Sequence, residues 1–261
     1  DTTFAGTIDI TLMRLSADGV NREFATWLGG SEVEQPHSLI ADGNELIIFG
    51  VTGSLDFPVS ATAFDSTFNG GSSVPGIGGT FSLGSDLFVS RLSADGSQLI
   101  ASTYLGGSDN DGINAALINN YGDAARGEVN LDANGNILIA SCTNSADFPE
   151  TVNQSVNGAQ DATLTKLSGD LSQVMWSTRL GGLGNDAAFS TAAANGWTYV
   201  TGTTVSNTFP ATTGSWSLTY FGGTSDGFLS AVNDSGQLVA STYIGSFARD
   251  FCFFLFPDPR G

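Results

Sequence analysis

The sequence predicts an all-β chain of repeated four-stranded antiparallel units, and three observations carry that prediction. First, composition favours turns over helices: 20 of the 26 acidic residues are Asp, Gly occurs 34 times, and Lys166 is the single lysine. Asp and Gly are weak helix formers and strong turn formers. Second, no window shows sustained helical periodicity with caps at its ends. Third, the chain repeats itself at long intervals, the mark of a repeat architecture.

Each repeat opens on an aspartate-led apolar run: "DITLMRL" at Asp9, "DLFVSRL" at Asp86, "DATLTKL" at Asp161 and "DGFLSAV" at Asp226. A turn follows, read as "SADG", "SADG", "SGDL" and "NDSG". A second run then ends in glycine: "FATWLGG" at Phe24, "ASTYLGG" at Ala101, "WSTRLGG" at Trp176 and "ASTYIGS" at Ala240. Two further strands come next in three of the repeats. They are "HSLIADGNELIIFGVT" from His37, "GEVNLDANGNILIASCT" from Gly127 and "FSTAAANGWTYVTGTT" from Phe189. Asp-Gly and Asn-Gly between apolar runs are the strongest short hairpin signals, because tight hairpin turns need positive φ. "SLDFP" (54–58), "SADFP" (145–149) and "SNTFP" (206–210) end the fourth strand, where a proline costs no ladder hydrogen bond.

Four antiparallel strands per unit, repeated, is the pattern of propeller blades. "ILIAS" and "ELIIFG" are apolar at consecutive positions, as expected of sheets covered on both faces. A two-layer sandwich would alternate more cleanly. The chain therefore reads as one β-propeller domain over 1–261, with blades at 8–85, 86–160, 161–225 and 226–256. The leading aspartates lie 77, 75 and 65 residues apart, so the loops vary while the strands persist. The fourth repeat breaks off into "FARDFCFFLFPDPRG", and "TTFAGT" (2–7) looks like a fourth strand. Residues 2–7 are thus expected to complete the sheet of 226–256 and close a four-bladed ring; the alternative is a fragment of a larger ring. Closure of that kind removes an exposed edge.

Taken together, "DLFVSRLSADG", "ASTYLGGSDNDG" and "LDANGNILIASCTNSADFP" resemble the bacterial β-propeller repeat called the SBBP repeat. The resemblance covers nearly the whole chain, in three full copies and one incomplete one. It implies a large secreted or cell-surface bacterial protein, of a kind found in many Bacteroidetes and exported by type IX secretion. It supplies no catalytic residues. The chain departs from the pattern at its broken fourth repeat and at "TFP" (208–210), where "DFP" is usual.

A net charge of -18 argues against nucleic acid or an anionic membrane as partner, since both select basic surfaces. No stretch approaches the roughly 18–20 apolar residues of a membrane span. The start, "DTTFAGTIDI", shows no signal peptide, so either the protein is cytosolic or the sequence begins after processing. Cys142 and Cys252 lack metal-like neighbours and read as buried free thiols, with a single disulfide as the alternative.

Catalytic signals are poor. His37 is the only histidine and reads as a strand-start or surface residue; no nucleophile elbow or phosphate loop occurs. The four leading aspartates read as acceptors of backbone N–H groups, with a ligand-lined channel as the alternative. Arg14, Arg91 and Lys166 stand four residues before Asp18, Asp95 and Asp170, and are expected to pair with them. "SDNDG" and "DANGN" place oxygen side chains as calcium ligands are placed, which makes Asp109 and Asp111 the metal candidates; turns select the same residues. No other cofactor is expected. Trp27, Tyr104, Arg179 and Tyr243 share the position before the glycine pair. They form either an interaction face or packing between blades. The irregular segments 61–85 and 108–125 are either binding loops on a rigid scaffold or tolerated insertions without a ligand. The functional expectation is a non-catalytic module for protein interaction, adhesion or scaffolding at the cell surface or outside it, with envelope or extracellular proteins as partners. The alternative is a lectin or glycan-active enzyme acting on surface glycans, which needs only two suitably spaced carboxylates.

Overall fold

The computed structural model describes residues 4–153 and 158–258. It is all-β. Strands β1 (Ile10–Leu15) and β2 (Arg22–Leu28) form a two-stranded sheet. Sheet I joins β3 (Glu34–Asp42) and β4 (Glu45–Thr52) to a second hairpin across an excursion. That excursion carries the short pair β5 (Val74–Pro75) and β6 (Thr80–Phe81). The second hairpin is β7 (Asp86–Ser93) and β8 (Leu99–Leu105). Sheet II contains β9 (Glu128–Leu131), β10 (Ile137–Thr143), β11 (Asp161–Leu167) and β12 (Val174–Leu180). Sheet III contains β13 (Asp186–Ala194), β14 (Trp197–Thr204), β15 (Asp226–Val232) and β16 (Leu238–Ile244). All three are antiparallel meanders.

The phase of the repeat differs from the blade boundaries read in the sequence. Every four-stranded sheet takes its first hairpin from the end of one sequence repeat and its second from the start of the next. The register fixes this: Thr52, Thr143 and Thr204 lie opposite Asp86, Asp161 and Asp226. The chain therefore changes sheets at the glycine pairs and not at the leading aspartates.

Consecutive apolar residues in β10 are explained by its two neighbours. Ile137 and Ile139 pack with Ile47, Phe49 and Val89 of sheet I. Leu138 and Ala140, on the opposite face, pack with Val200 and Phe228 of sheet III. In the same way Ile48 and Phe88 of sheet I meet Ile10, Leu12 and Leu28 of the first sheet. The sheets thus succeed one another face to face, and each fully buried Leu or Ile contributes about 1.5–3 kcal/mol. Their first strands come together as well: Glu128 in β9 accepts hydrogen bonds from Ser190 Oγ and from Thr191 N (2.8 Å) in β13.

The expected pairs with Asp18, Asp95 and Asp170 do not form. Those carboxylates accept hydrogen bonds from Ser16, Ser93 and Ser168, two residues earlier, at 2.5–2.6 Å, and so close their own turns. The cations reach elsewhere. Arg14 pairs with Glu23 at 2.6 Å. Arg91 pairs with Glu45 at 2.6 Å and donates to Gly169 O in the neighbouring sheet. Lys166 bridges Asp132 (2.8 Å) and Asp234 (2.7 Å), the latter again one sheet further on.

The two ends differ from the expected closing strand. Residues 5–8 are a loop leading into β1: Ala5 and Gly6 donate to Asp9, Thr7 N bonds Glu32 O, and Ile8 bridges Val33. "GTID" matches "GAQD" (158–161) and "GTSD" (223–226), so it is an approach to a leading aspartate and not a fourth strand. Thr2 and Thr3 lie outside the described residues. The tail runs over sheet III, with Cys252 N on Gly202 O (3.2 Å) and Leu255 N on Ser190 Oγ (2.9 Å). Leu255 stands to β13 as Thr191 stands to β9, so the tail follows the path of a first strand.

Candidate functional site

A second acid follows the first glycine of each pair by five residues: Glu34, Asp111, Asp186 and Asp250. Folding brings it to the leading aspartate. A Cβ on Gly29 would lie 2.6 Å from Asp9 and 2.7 Å from Glu34; on Gly181, 2.6 Å from both Asp161 and Asp186. Gly106 stands in the same way, 2.8 Å from Asp86 and Asp111. Glycine is required there because two carboxylates fill the space a side chain would need.

The leading acids accept backbone N–H groups, as Asp86 does from Asn69 (2.7 Å) and Gly70 (3.0 Å). Glu34, Asp111 and Asp186 accept from the second glycine of the pair and from a Thr-x-Ser segment at the end of the second strand of their sheet, whereas Asp250 accepts from Ser246 N and Oγ. Glu34 is bonded by Gly30 N, Thr52 and Ser54; Asp111 by Gly107 N, Thr143 and Ser145. Burial, against these hydrogen bonds, raises Asp86 and Asp186 to about 7, with a smaller push from Asp65 on Asp86 and from the pair partner Asp161 on Asp186. Asp161 rises to about 6 through burial, with Arg179 opposing from 3.6 Å. "TFP" is also accounted for: Asp56 and Asp147 accept from Ser31 and Ser108, whereas Thr208 accepts from Leu183 N at 3.1 Å.

Trp27, Tyr104, Arg179 and Tyr243 do not assemble into an open aromatic face. Tyr104 and Tyr243 are buried, and their hydroxyls donate to Ser54 O and Ser206 O at 2.8 Å. Phe57 and Phe209 pack on them. Arg179 is held by Glu150 at 3.2 Å, and Trp27 meets Phe4 edge-on. Packing is therefore the role of Tyr104 and Tyr243. Asp109 accepts from Asn110 N (2.8 Å), while Asp111 belongs to its acid pair. Among the described residues no three His, Cys, Asp or Glu side chains gather as metal ligands. His37 sits in β3 against Phe49, both ring nitrogens buried without a hydrogen-bond partner, and burial lowers it to about 3. Cys142 is buried and Cys252 half-buried, both as free thiols. No helix among the described residues is long and apolar enough to cross a membrane.

The two irregular segments meet. Asn110 Nδ2 donates to Ser72 O (3.0 Å), and Ser85 N donates to Asn110 Oδ1 (3.1 Å). Gln35 in β3 anchors the β5–β6 hairpin at Ile77 O, and Gly71 N closes on Leu83 O at 2.8 Å. Between them lies an open cleft of about 580 Å³ lined by Phe68, Asn69, Ser72, Leu83, Ser108 and Asp109, among others. Its side chains are one amide, two hydroxyls and one carboxylate beside three apolar groups, Leu55, Phe68 and Leu83. That mixture recognises a polar surface by hydrogen bonding. Sequence reading found both loops but not their contact, and missed the second acids, whose constant spacing was the available signal. No family model matches the chain, and no curated protein sequence matches it.

Proposed function

We propose that the chain is a β-propeller module, secreted or displayed at the outer cell surface, that binds envelope or extracellular proteins without catalysing a reaction. The carrying observation is the cleft between 68–85 and 108–110, built by loops fixed to stacked sheets; binding groups favour loops on rigid scaffolds. The propeller reading draws support from the face-to-face succession of antiparallel meanders with first strands side by side. A non-catalytic role is supported by the commitment of the buried acids to backbone and hydroxyl donors. The surface location rests on the SBBP resemblance. Affinity capture from an envelope extract tests the reading: Leu83→Arg with Ser108→Arg should abolish capture while leaving the melting temperature unchanged. Unaltered capture would reject the cleft.

Glycan binding is the second reading, favoured by Trp216, which is 72% exposed and offers an indole face beside Phe221. Glycan-array binding lost in Trp216→Ala would select it. Release of a shortened glycan would show an enzyme instead.

A further inference from the structure

The hairpin turns of sheets II and III meet at the strand ends remote from the leading aspartates, and this junction is filled differently from the one between sheets I and II. There, Arg91 reaches from Glu45 to Gly169 O, and Leu171 of the same turn is buried in the core. Between sheets II and III, Lys166 instead spans Asp132 and Asp234. Asn136 and Trp197 stand equally far before Thr143 and Thr204, yet behave differently. Asn136 turns its amide onto Asp132 at 2.9 Å, whereas Trp197 is 38% exposed beside the two-residue turn Asn195–Gly196. A pocket of about 340 Å³ results, lined by Asn134, Lys166, Asn195, Trp197 and Asp234 among others. Small-ligand sites span about 300–1,000 Å³.

We propose that this pocket binds a neutral pyranose sugar, its ring against the Trp197 indole. The groups left unused define that chemistry. Asp132 is fully engaged, accepting from Asn134 N, Asn136 N, Asn136 Nδ2 and Lys166 Nζ. Lys166 spends two of its three N–H donors on the aspartates and keeps one. Asp234 Oδ2 and the side-chain amides of Asn134 and Asn195 have no hydrogen-bond partner among the described residues. Donors and acceptors thus stand together in one pocket, which suits hydroxyls, since each hydroxyl both donates and accepts. A cationic ligand fits less well, because Lys166 already holds the place between the two acids. An anion would face the Asp234 carboxylate. The indole supplies an apolar wall for the C–H face of a sugar ring, with polar groups at its edge.

The pocket shares no residue with the cleft or with the Trp216–Phe221 pair, so it goes beyond both readings above and fails separately from them. Its test is saturation-transfer NMR on the intact chain with the methyl glycosides of glucose, galactose, mannose and N-acetylglucosamine at millimolar concentration. At least one should receive saturation at its ring protons. Trp197→Ala should abolish the transfer and Trp197→Phe should retain it, which separates a lost stacking wall from a lost fold. Asn134→Ala alters only an exposed side chain and should weaken binding about two- to tenfold, the worth of one hydrogen bond. Leu83→Arg and Trp216→Ala should leave the signal intact. Transfer to none of the four glycosides overturns the proposal. So does transfer that survives Trp197→Ala, or transfer lost in Trp216→Ala, which would put the sugar at Trp216 instead.

Discussion

Replacing Gly181 with Ala probes the acid-pair junction at its tightest point. The new Cβ would lie 2.6 Å from both Asp161 Oδ1 and Asp186 Oδ2, about an ångström inside ordinary contact. Neither oxygen is the end of a freely moving chain. Asp186 Oδ2 holds Gly182 N at 2.9 Å and Ser206 Oγ at 2.8 Å, and Asp161 Oδ1 holds Gly158 N at 3.2 Å. Withdrawal of a carboxylate sacrifices at least one buried hydrogen bond to a charged group, about 1.5–3 kcal/mol. Overpacking adds about 1–3 kcal/mol. A loss of about 4 kcal/mol follows, or roughly 8–16 °C in Tm for a chain of this size. Gly196→Ala is the control: its φ is +77° and a Cβ would meet nothing within 4 Å, so it carries backbone strain alone, about 1 kcal/mol. Urea denaturation followed by circular dichroism, with thermal melts alongside, compares the two. Equal destabilisation would refute the assignment of the glycine to the acid pair.

Three more expectations can be checked on the same material. Asp86 and Asp186 titrate near 7 and Asp161 near 6 in the folded chain, all raised by burial, so the unfolded state releases these protons first as pH rises. Their contribution is complete below about pH 4 and is lost as pH rises from there through 6–7; a Tm that climbs from pH 5 to pH 8 contradicts this. Tyr104→Phe and Tyr243→Phe each remove a buried hydroxyl from a carbonyl and should cost about 1–3 kcal/mol by urea denaturation, with no cost counting against the packing role. Arg91→Ala, which unties sheet I from the turn of sheet II, should destabilise by about 1.5–3 kcal/mol. The exposed Arg14→Ala should stay within about 1 kcal/mol, and a reversed order in the melts would refute the bridging role.

The hairpins were legible because their signals are local. Asn195 and Gly196 have φ of 53° and 77°, as an Asn-Gly turn between strands requires, and the apolar runs fall inside strands. The leading aspartates were also readable as backbone acceptors. Ion pairing was misread: Arg91 and Asp95 are near in sequence, yet the serine two residues before Asp95 satisfies the carboxylate first. The stretch 2–7 reads as a strand because a short run of Thr, Phe and Gly resembles one, but its described part, 4–7, is not a strand. Only the Asp9 carboxylate, bonded by Ala5 and Gly6, shows that 5–8 form a loop.

By itself the sequence determined the strands, their turns and the fourfold recurrence of the aspartate-led run, since alternation and turn chemistry act within a few residues. Tertiary structure alone decided which hairpins share a sheet, which loops meet at the cleft, and that Glu34, Asp111 and Asp186 face a second carboxylate. Each of those outcomes is a pairing between residues 18 or more positions apart. Hydrogen-bond register and two-sided burial settle such pairings, and no local pattern encodes them.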